Sequence, residues 1–306
     1  MIATLTLNPA LDVTTSTDKV QHTHKLRCVA PRYDPGGGAI NVARVIHTLR
    51  GAVTAVFPCG GPAGELFERL LRDAGLSIAP VKVAGALRES FTVDEGGSGL
   101  QYRFVLPGPS LTEGEIAALL DALAVLPGVT HIVASGSLPP GCDPAIIGQL
   151  GEVARKRDAR LIVDTSGPAL AACEGAGIYL LKPSLREVED MLGKPVATEA
   201  DEVAAAHALR DRGFAEAIIL SLAERGALLV ADGIEHRLPA IKVETRSAVG
   251  AGDSMVGAVT LALARGGSFE DALRYGIAAG AATLMTPATE LARAEDVERL
   301  YAASSS

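Results

Sequence analysis

His131-Ile-Val-Ala-Ser135 and Leu161-Ile-Val-Asp164, with a helical stretch between them, decide the fold of this chain. Each is a short run rich in Val, Ile and Leu, the pattern of a strand buried on both faces. The rhythm extends in both directions. Upstream, Thr112-Glu-Gly-Glu115 is a capping box before a helix at Ile116–Leu126. Downstream, Tyr179–Leu181, Ala217–Leu222 and Leu228–Ala231 read as further strands, mostly separated by helices. Such strands must be joined by crossovers, which predicts an α/β fold with a mostly parallel central sheet and helices on both faces.

The N-terminal third reads differently. Ile2–Leu7 is a strand ended by Asn8-Pro9, and Gly36-Gly-Gly38 opens a helix at Ala39–Leu49. Ala52–Phe57 is a strand and Glu65–Ala74 a helix stopped by Gly75. Val13–Leu26 is extended and polar-faced, and Phe91–Asp94 pairs with Gln101–Leu106 around the Gly96-Gly-Ser-Gly99 turn. Half-polar strands suit a small sheet with one wet face. No repeat and no linker divides the chain. The expectation is one α/β domain over residues 1–306, with a β-sheet lid formed by about residues 12–36 and 87–107.

The 306 residues are 48% hydrophobic and 21% charged, with a net charge of −8, which argues against a nucleic-acid binder. An acidic balance still permits anionic substrates if Lys and Arg cluster locally. Cys28, Cys59, Cys142 and Cys173 have no paired spacing, so free thiols are expected rather than a disulfide scaffold or a zinc site. The N-terminus has no signal-peptide pattern and no apolar run approaches the ~20 residues of a membrane span, so a cytoplasmic location is expected.

In open α/β sheets the ligand lies beyond the carboxyl ends of the strands. Asp12, Ser135-Gly-Ser137, Asp164, Lys182 and Ser221 all fall at or just after such ends. The most informative loop is Ser247-Ala-Val-Gly-Ala-Gly-Asp253, which precedes an apolar helical run. Gly250, Ala251 and Gly252 leave backbone N–H groups unpaired at the positive end of a helix dipole, a ready anion site. Asp253, read as the first residue of that helix, can take a proton from a substrate hydroxyl. Phosphoryl transfer needs such a base beside such a cradle. Alone, the motif reads as a helix cap after turn glycines; its company at the strand ends favours chemistry. The chain has neither a P-loop Gly-x-x-x-x-Gly-Lys-Ser/Thr nor a dinucleotide-binding Gly-x-Gly-x-x-Gly in its first strand-helix turn.

Gly36-Gly-Gly-Ala-Ile-Asn-Val-Ala-Arg44 resembles the first signature of the PfkB (ribokinase-like) sugar kinases, and Ala248-Val-Gly-Ala-Gly-Asp-Ser-Met-Val-Gly257 resembles the second. Lys25-Leu-Arg-Cys28, Gln101-Tyr-Arg-Phe-Val-Leu-Pro-Gly108 and Ser135-Gly-Ser-Leu-Pro-Pro-Gly141 are similar to segments of the bacterial 6-phosphofructokinases of that family. The resemblance implies a ribokinase-like fold whose lid forms a homodimer contact, and an ATP-dependent phosphotransferase with an alcohol acceptor. It makes Asp253 the base and the amides of Gly250–Gly252 the anion site. On the sugar side it implies Asp12, Gly37, Gly38, Asn41 and Ser137, with Lys25, Arg27 and Arg88 for the phosphate that the sugar already carries.

On the nucleotide side it implies Lys182, Ser184, Ser221 and Gly226, with Ile277, Gly280 and Ala281 against the adenine. Glu187 would help position Mg²⁺ through water, although Ser184 replaces the usual Asn and Ser184-x-x-Glu187 is also a capping box. Relatives bind K⁺ near Ser247 and Val249, but the Pro and Glu of Thr286-Pro-Ala-Thr-Glu290 depart from that pattern. The expected reaction is ATP-dependent phosphorylation of fructose 6-phosphate at the 1-hydroxyl, a step of glycolysis. The alternatives are a tagatose-6-phosphate kinase or a 1-phosphofructokinase, which usually carry Gly-Gly-Lys-Gly in place of Gly36-Gly-Gly-Ala39. An inactive sugar-phosphate sensor is the remote alternative, and the retained Asp253 speaks against it.

Overall fold

In a computed structural model the described residues are 1–304; Ser305 and Ser306, the last two of the expected domain, lie outside them. The chain begins with β1 (Ile2–Leu5), β2 (Ala10–Thr17), β3 (Arg32–Gly36), α1 (Gly38–Thr48), β4 (Val53–Cys59), α2 (Gly61–Asp73) and β5 (Ser77–Lys82). The hairpin β6 (Arg88–Glu95) and β7 (Gln101–Val105) comes next, then α3 (Glu113–Val125), β8 (His131–Ser135), α4 (Ile146–Lys156) and β9 (Arg160–Asp164). After them come α5 (Pro168–Ala171), β10 (Leu180–Leu181), α6 (Leu185–Leu192), α7 (Glu199–Asp211), β11 (Ala217–Ser221), β12 (Ala227–Ala231) and β13 (Ile234–Leu238). Three helices close the chain: α8 (Ala251–Ala264), α9 (Phe269–Leu284) and α10 (Ala294–Ala303).

Among the described residues β13-β12-β11-β10-β9-β8-β1-β4-β5 form one nine-stranded sheet, parallel except at the β11–β12 and β12–β13 pairs. Its strands alternate between two apolar layers. Val133, Ile162 and Ile219 join Ile40, Ile46, Val259 and Leu273 on one face, whereas Ile132, Leu161 and Ile218 join Leu119, Leu150 and Leu209 on the other. Each fully buried side chain of this size contributes about 1.5–3 kcal/mol, which is what holds helices to both faces. The mostly parallel α/β sheet is therefore as expected. No helix of the described residues is long and apolar enough to cross a membrane, and all four cysteines are free.

β3-β2-β6-β7 form a separate four-stranded sheet. β2 and β6 pair in parallel across its centre, Ala10 with Arg88 through Thr17 with Glu95. One face carries the in-register row Tyr33, Val13, Phe91 and Phe104, of which Tyr33, Phe91 and Phe104 are 41%, 38% and 55% exposed. The other face carries Asp12, Thr14, Ser90, Thr92 and Arg103.

The structure corrects several local expectations. The extended run expected over Val13–Leu26 is strand only to Thr17, and residues 18–31 hold neither strand nor helix. α2 starts at Gly61, earlier than the expected Glu65, with Pro62 in its first turn where a missing N–H costs nothing. β3, β5 and β13 were not foreseen, and all three are sheet edges.

Candidate active site

The N-termini of α1 and α8, the loop after α9 and the small sheet, mostly by its polar face, enclose a cavity of about 390 Å³. Asp12, Gly37, Gly38, Asn41, Arg88, Val249, Gly250 and Asp253, all singled out from the sequence, line it.

At its floor, Gly250 caps α8 with a φ of 78°, a left-handed conformation that glycine adopts without strain. No side chain caps this helix. Ala251 N–H has only a long 3.4 Å bond to Ala248 O, and the N–H groups of Gly252 and Asp253 find no acceptor among the described residues. This is an open anion cradle at the positive end of a fourteen-residue helix. Asp253 is the third residue of α8 rather than the first, because Ala251 and Gly252 are already helical. Its half-buried carboxylate accepts a hydrogen bond from Asn41 Nδ2 at 2.8 Å. Burial and the nearby Asp164 push its pKa up to about 7, against the pull of Asn41 and Lys182.

Asn41 is itself held. Arg44, a turn further along α1, donates to Asn41 Oδ1 at 3.3 Å and to Pro35 O of β3 at 3.0 Å. Asp12 projects from β2 over Gly36, where a Cβ would stand only 2.1 Å from Asp12 Oδ2. Burial pushes Asp12 up to about 6, with Arg88 and Arg103 pulling it down and Asp34 adding to the rise. Gly38 faces Ser135, whose Oγ would lie 2.4 Å from a Cβ there.

Arg88, expected to bind phosphate, spends much of its guanidinium on the chain itself. It donates to Asn8 O at 3.0 Å, Leu106 O at 3.2 Å and Pro9 O at 3.3 Å, the carbonyls through which the small sheet joins the body. Arg103 on β7, which lines the same cavity and is exposed, supplies a second guanidinium. It was missed although it lies within the quoted Gln101–Gly108 segment; the alternation Tyr102-Arg103-Phe104 along that strand was the available signal. Lys25 and Arg27 are exposed in the irregular 18–31 segment and do not line the cavity. Ser137 does not line it either; its Oγ accepts from Asn8 Nδ2 at 3.1 Å.

The nucleotide-side candidates gather beyond α8. Lys182, 6% exposed, follows β10, and its Nζ lies 3.1 Å from Asp164 Oδ1 and 3.9 Å from where a Gly252 Cβ would stand. Burial opposes its charge, but Asp164, Glu187 and Asp253 outweigh burial and hold it above the ordinary lysine range. Ser184 and Glu187 do form the capping box: Glu187 Oε2 accepts from Ser184 N–H at 2.7 Å and Ser184 Oγ from Glu187 N–H at 3.3 Å. Ser221 lies beside them, with its N–H on Pro183 O at 2.9 Å. Gly226 has a φ of 94°, and a Cβ there would stand 2.0 Å from Leu238 O. On α9, Ile277 and Ala281 are buried in the core and Gly280 faces Ala251 O.

Ser247 Oγ donates to Ala288 O at 2.7 Å and accepts from Val249 N–H at 3.2 Å, which ties the loop after α9 to the anion turn. No group of three or more His, Cys, Asp or Glu able to hold a metal ion occurs among the described residues.

The profile described as pfkB family carbohydrate kinase matches residues 7–294. The "ATP-dependent 6-phosphofructokinase isozyme 2" of Mycobacterium tuberculosis is 49% identical over 301 residues, covering 98% of this chain and 88% of that protein. The crystal structure of phosphofructokinase-2 from Escherichia coli in complex with potassium superposes with a TM-score of 0.95 at 40% identity, over 100% of this chain and 99% of that one. The same enzyme in complex with fructose-6-phosphate gives 0.93 at 40% identity, with the same coverage. With both signature segments converging on one cavity and the profile spanning nearly the whole chain, this protein belongs to the pfkB family of carbohydrate kinases.

Proposed function

We propose that this protein transfers the γ-phosphoryl group of ATP to the 1-hydroxyl of fructose 6-phosphate, giving fructose 1,6-bisphosphate and ADP. The observation that carries the reading is Asp253, poised near neutrality beside unpaired helix amides in a cavity that also holds Arg88 and Arg103. A ligand with a reactive hydroxyl at one end and a phosphate dianion at the other matches that arrangement. Asp12 and the Gly37–Gly38 backbone are placed to hold the sugar hydroxyls, and Arg103 with the N–H groups Arg88 has not spent to hold the 6-phosphate. Lys25, Arg27 and Ser137 stand outside the cavity, so no contact is assigned to them here.

In this mechanism ionised Asp253 takes the proton of the 1-hydroxyl as its oxygen bonds to the γ-phosphorus. The bond to ADP breaks as the new one forms. Amides of the Gly250–Gly252 turn and of Asp253 receive the equatorial oxygens, and Lys182 adds a fixed positive charge beside them. Asn41 keeps Asp253 oriented, and Arg44 keeps Asn41 oriented. Mg²⁺ carried with ATP would supply positive charge to offset that of the phosphates. Glu187 suits its hydrated shell, because capping engages only Oε2 among the described residues. The ATP phosphates are assigned to Lys182 and the Ser184–Ser221 junction, and the adenine to the Ser221–Gly226 loop and the α9 edge at Ile277, Gly280 and Ala281. Potassium is a different matter. Ala288 O accepts one hydrogen bond from Ser247 and Glu290 O one from Thr286, which leaves each carbonyl a second lone pair. No step is assigned to K⁺.

The row in which exposed Tyr33, Phe91 and Phe104 flank buried Val13 is proposed as the contact of a homodimer. The deciding assay compares kcat/KM with MgATP for fructose 6-phosphate, tagatose 6-phosphate and fructose 1-phosphate. Preference for the first by about tenfold or more is expected; preference for either other sugar would keep the mechanism and replace the substrate.

A further inference from the structure

A ring of three hydrogen bonds pins the small sheet to the loop after α9. Thr289 Oγ1 donates to Asp34 Oδ2 at 2.8 Å across 255 positions of sequence. Arg32 donates from Nε to the same Asp34 oxygen at 2.7 Å, and from its NH2 group to Thr289 Oγ1 at 2.8 Å. Thr289 is 9% exposed and Asp34 17% at its side chain. Asp34 lies opposite Asp12 in the β2–β3 register, so the ring closes next to the sugar-side carboxylate.

The ring connects onward. Ala288 and Thr289 both line the cavity, and Ala288 O accepts from Ser247, whose oxygen caps Val249 one residue before Gly250. Ala288 has a φ of 53°, a left-handed conformation that costs a non-glycine residue about 1 kcal/mol and persists where neighbouring bonds enforce it. A continuous set of polar contacts thus runs from β3 to the anion turn. The proposed reaction needs such a tie. Water competes with the sugar hydroxyl for the γ-phosphoryl group, and only a closed cavity excludes it.

We propose that Asp34 and Thr289, aligned by Arg32, are positioning residues that hold the small sheet over the anion turn, so that phosphoryl passes to the sugar and not to water. The inference rests on the kinase reading above. In the productive step the sugar oxygen bonds to phosphorus, ADP leaves and the proton goes to Asp253. When the ring is broken, a water oxygen takes the place of the sugar oxygen, and ADP and orthophosphate are released with the proton again on Asp253.

The test measures ADP and bisphosphate formed in the same reaction for wild type, T289V, T289S, D34N and R32Q. Because the readout is a ratio per turnover, a partly unfolded fraction does not distort it. Wild type and T289S, which keeps the hydroxyl, are expected to give a ratio near one. T289V and D34N are expected to raise the ratio to about three or more and the KM for the sugar phosphate by about tenfold, with the KM for ATP unchanged. R32Q, which loses alignment but keeps the Thr289–Asp34 bond, is expected to lie between. A ratio near one in T289V and D34N would overturn this inference alone. A wild-type protein that forms no bisphosphate from fructose 6-phosphate would overturn the kinase reading and this inference with it.

Discussion

Asp253 sits where burial and Asp164 raise its carboxyl to about 7, from an ordinary value of 3.8. The sign of the consequences differs for activity and stability. As a base it must be ionised, so kcat/KM for fructose 6-phosphate should climb through an apparent pKa near 7 and level off above it. A profile flat from pH 5.5 to 8.5 would exclude that role (a range of about three units, wide enough to bracket the transition). For stability, the folded state binds this proton more tightly than the unfolded one, so Asp253 costs stability as pH rises from its unfolded value toward about 7. At residue scale the chemistry was legible only in company: Gly250-Ala-Gly252-Asp253 alone reads as a helix cap, and Asp164, Lys182 and Ser221 at the strand ends set it apart. The supports of Asp253 were not legible. Arg44 lies inside the first signature segment, yet only the fold shows that it reaches both Asn41 and Pro35 O.

β3 illustrates what an element contributes beyond its residues. Its Gly36 allows the Asp12 carboxylate to lie against the backbone. Gly36→Ala should push the end of that flexible side chain aside. The KM for the sugar phosphate is expected to rise by about tenfold with the KM for ATP unchanged, as steady-state kinetics in both substrates will show. The element was nonetheless invisible in the sequence. β3 holds Pro35, β5 holds Pro80 and β13 is the polar Ile234-Glu-His-Arg-Leu238, each of which resembles a loop. Edges tolerate proline and polar residues because one side of the backbone needs no partner. The centres of β8, Ile132-Val-Ala134, and β9, Leu161-Ile-Val163, are wholly apolar and buried, and both strands were read within a residue of their bounds.

For the whole molecule, the alternation of strands and helices conveys the layers but not the strand order, because no local pattern says that β1 lies between β8 and β4. The small sheet was legible as half-polar strands, and its apolar row only once the register was known. Breaking that row with Phe104→Glu should convert the proposed dimer to a monomer in light scattering after gel filtration, since one buried charge without a partner costs several kcal/mol. An unchanged mass would place the contact elsewhere.

The decisive variant removes the base: Asp253→Asn, assayed with MgATP and fructose 6-phosphate and checked for sugar-phosphate binding by calorimetry. kcat is expected to fall by about a thousandfold or more with sugar-phosphate affinity within about threefold of wild type. Turnover within about tenfold of wild type would contradict the mechanism, because the cradle would then be working without its base.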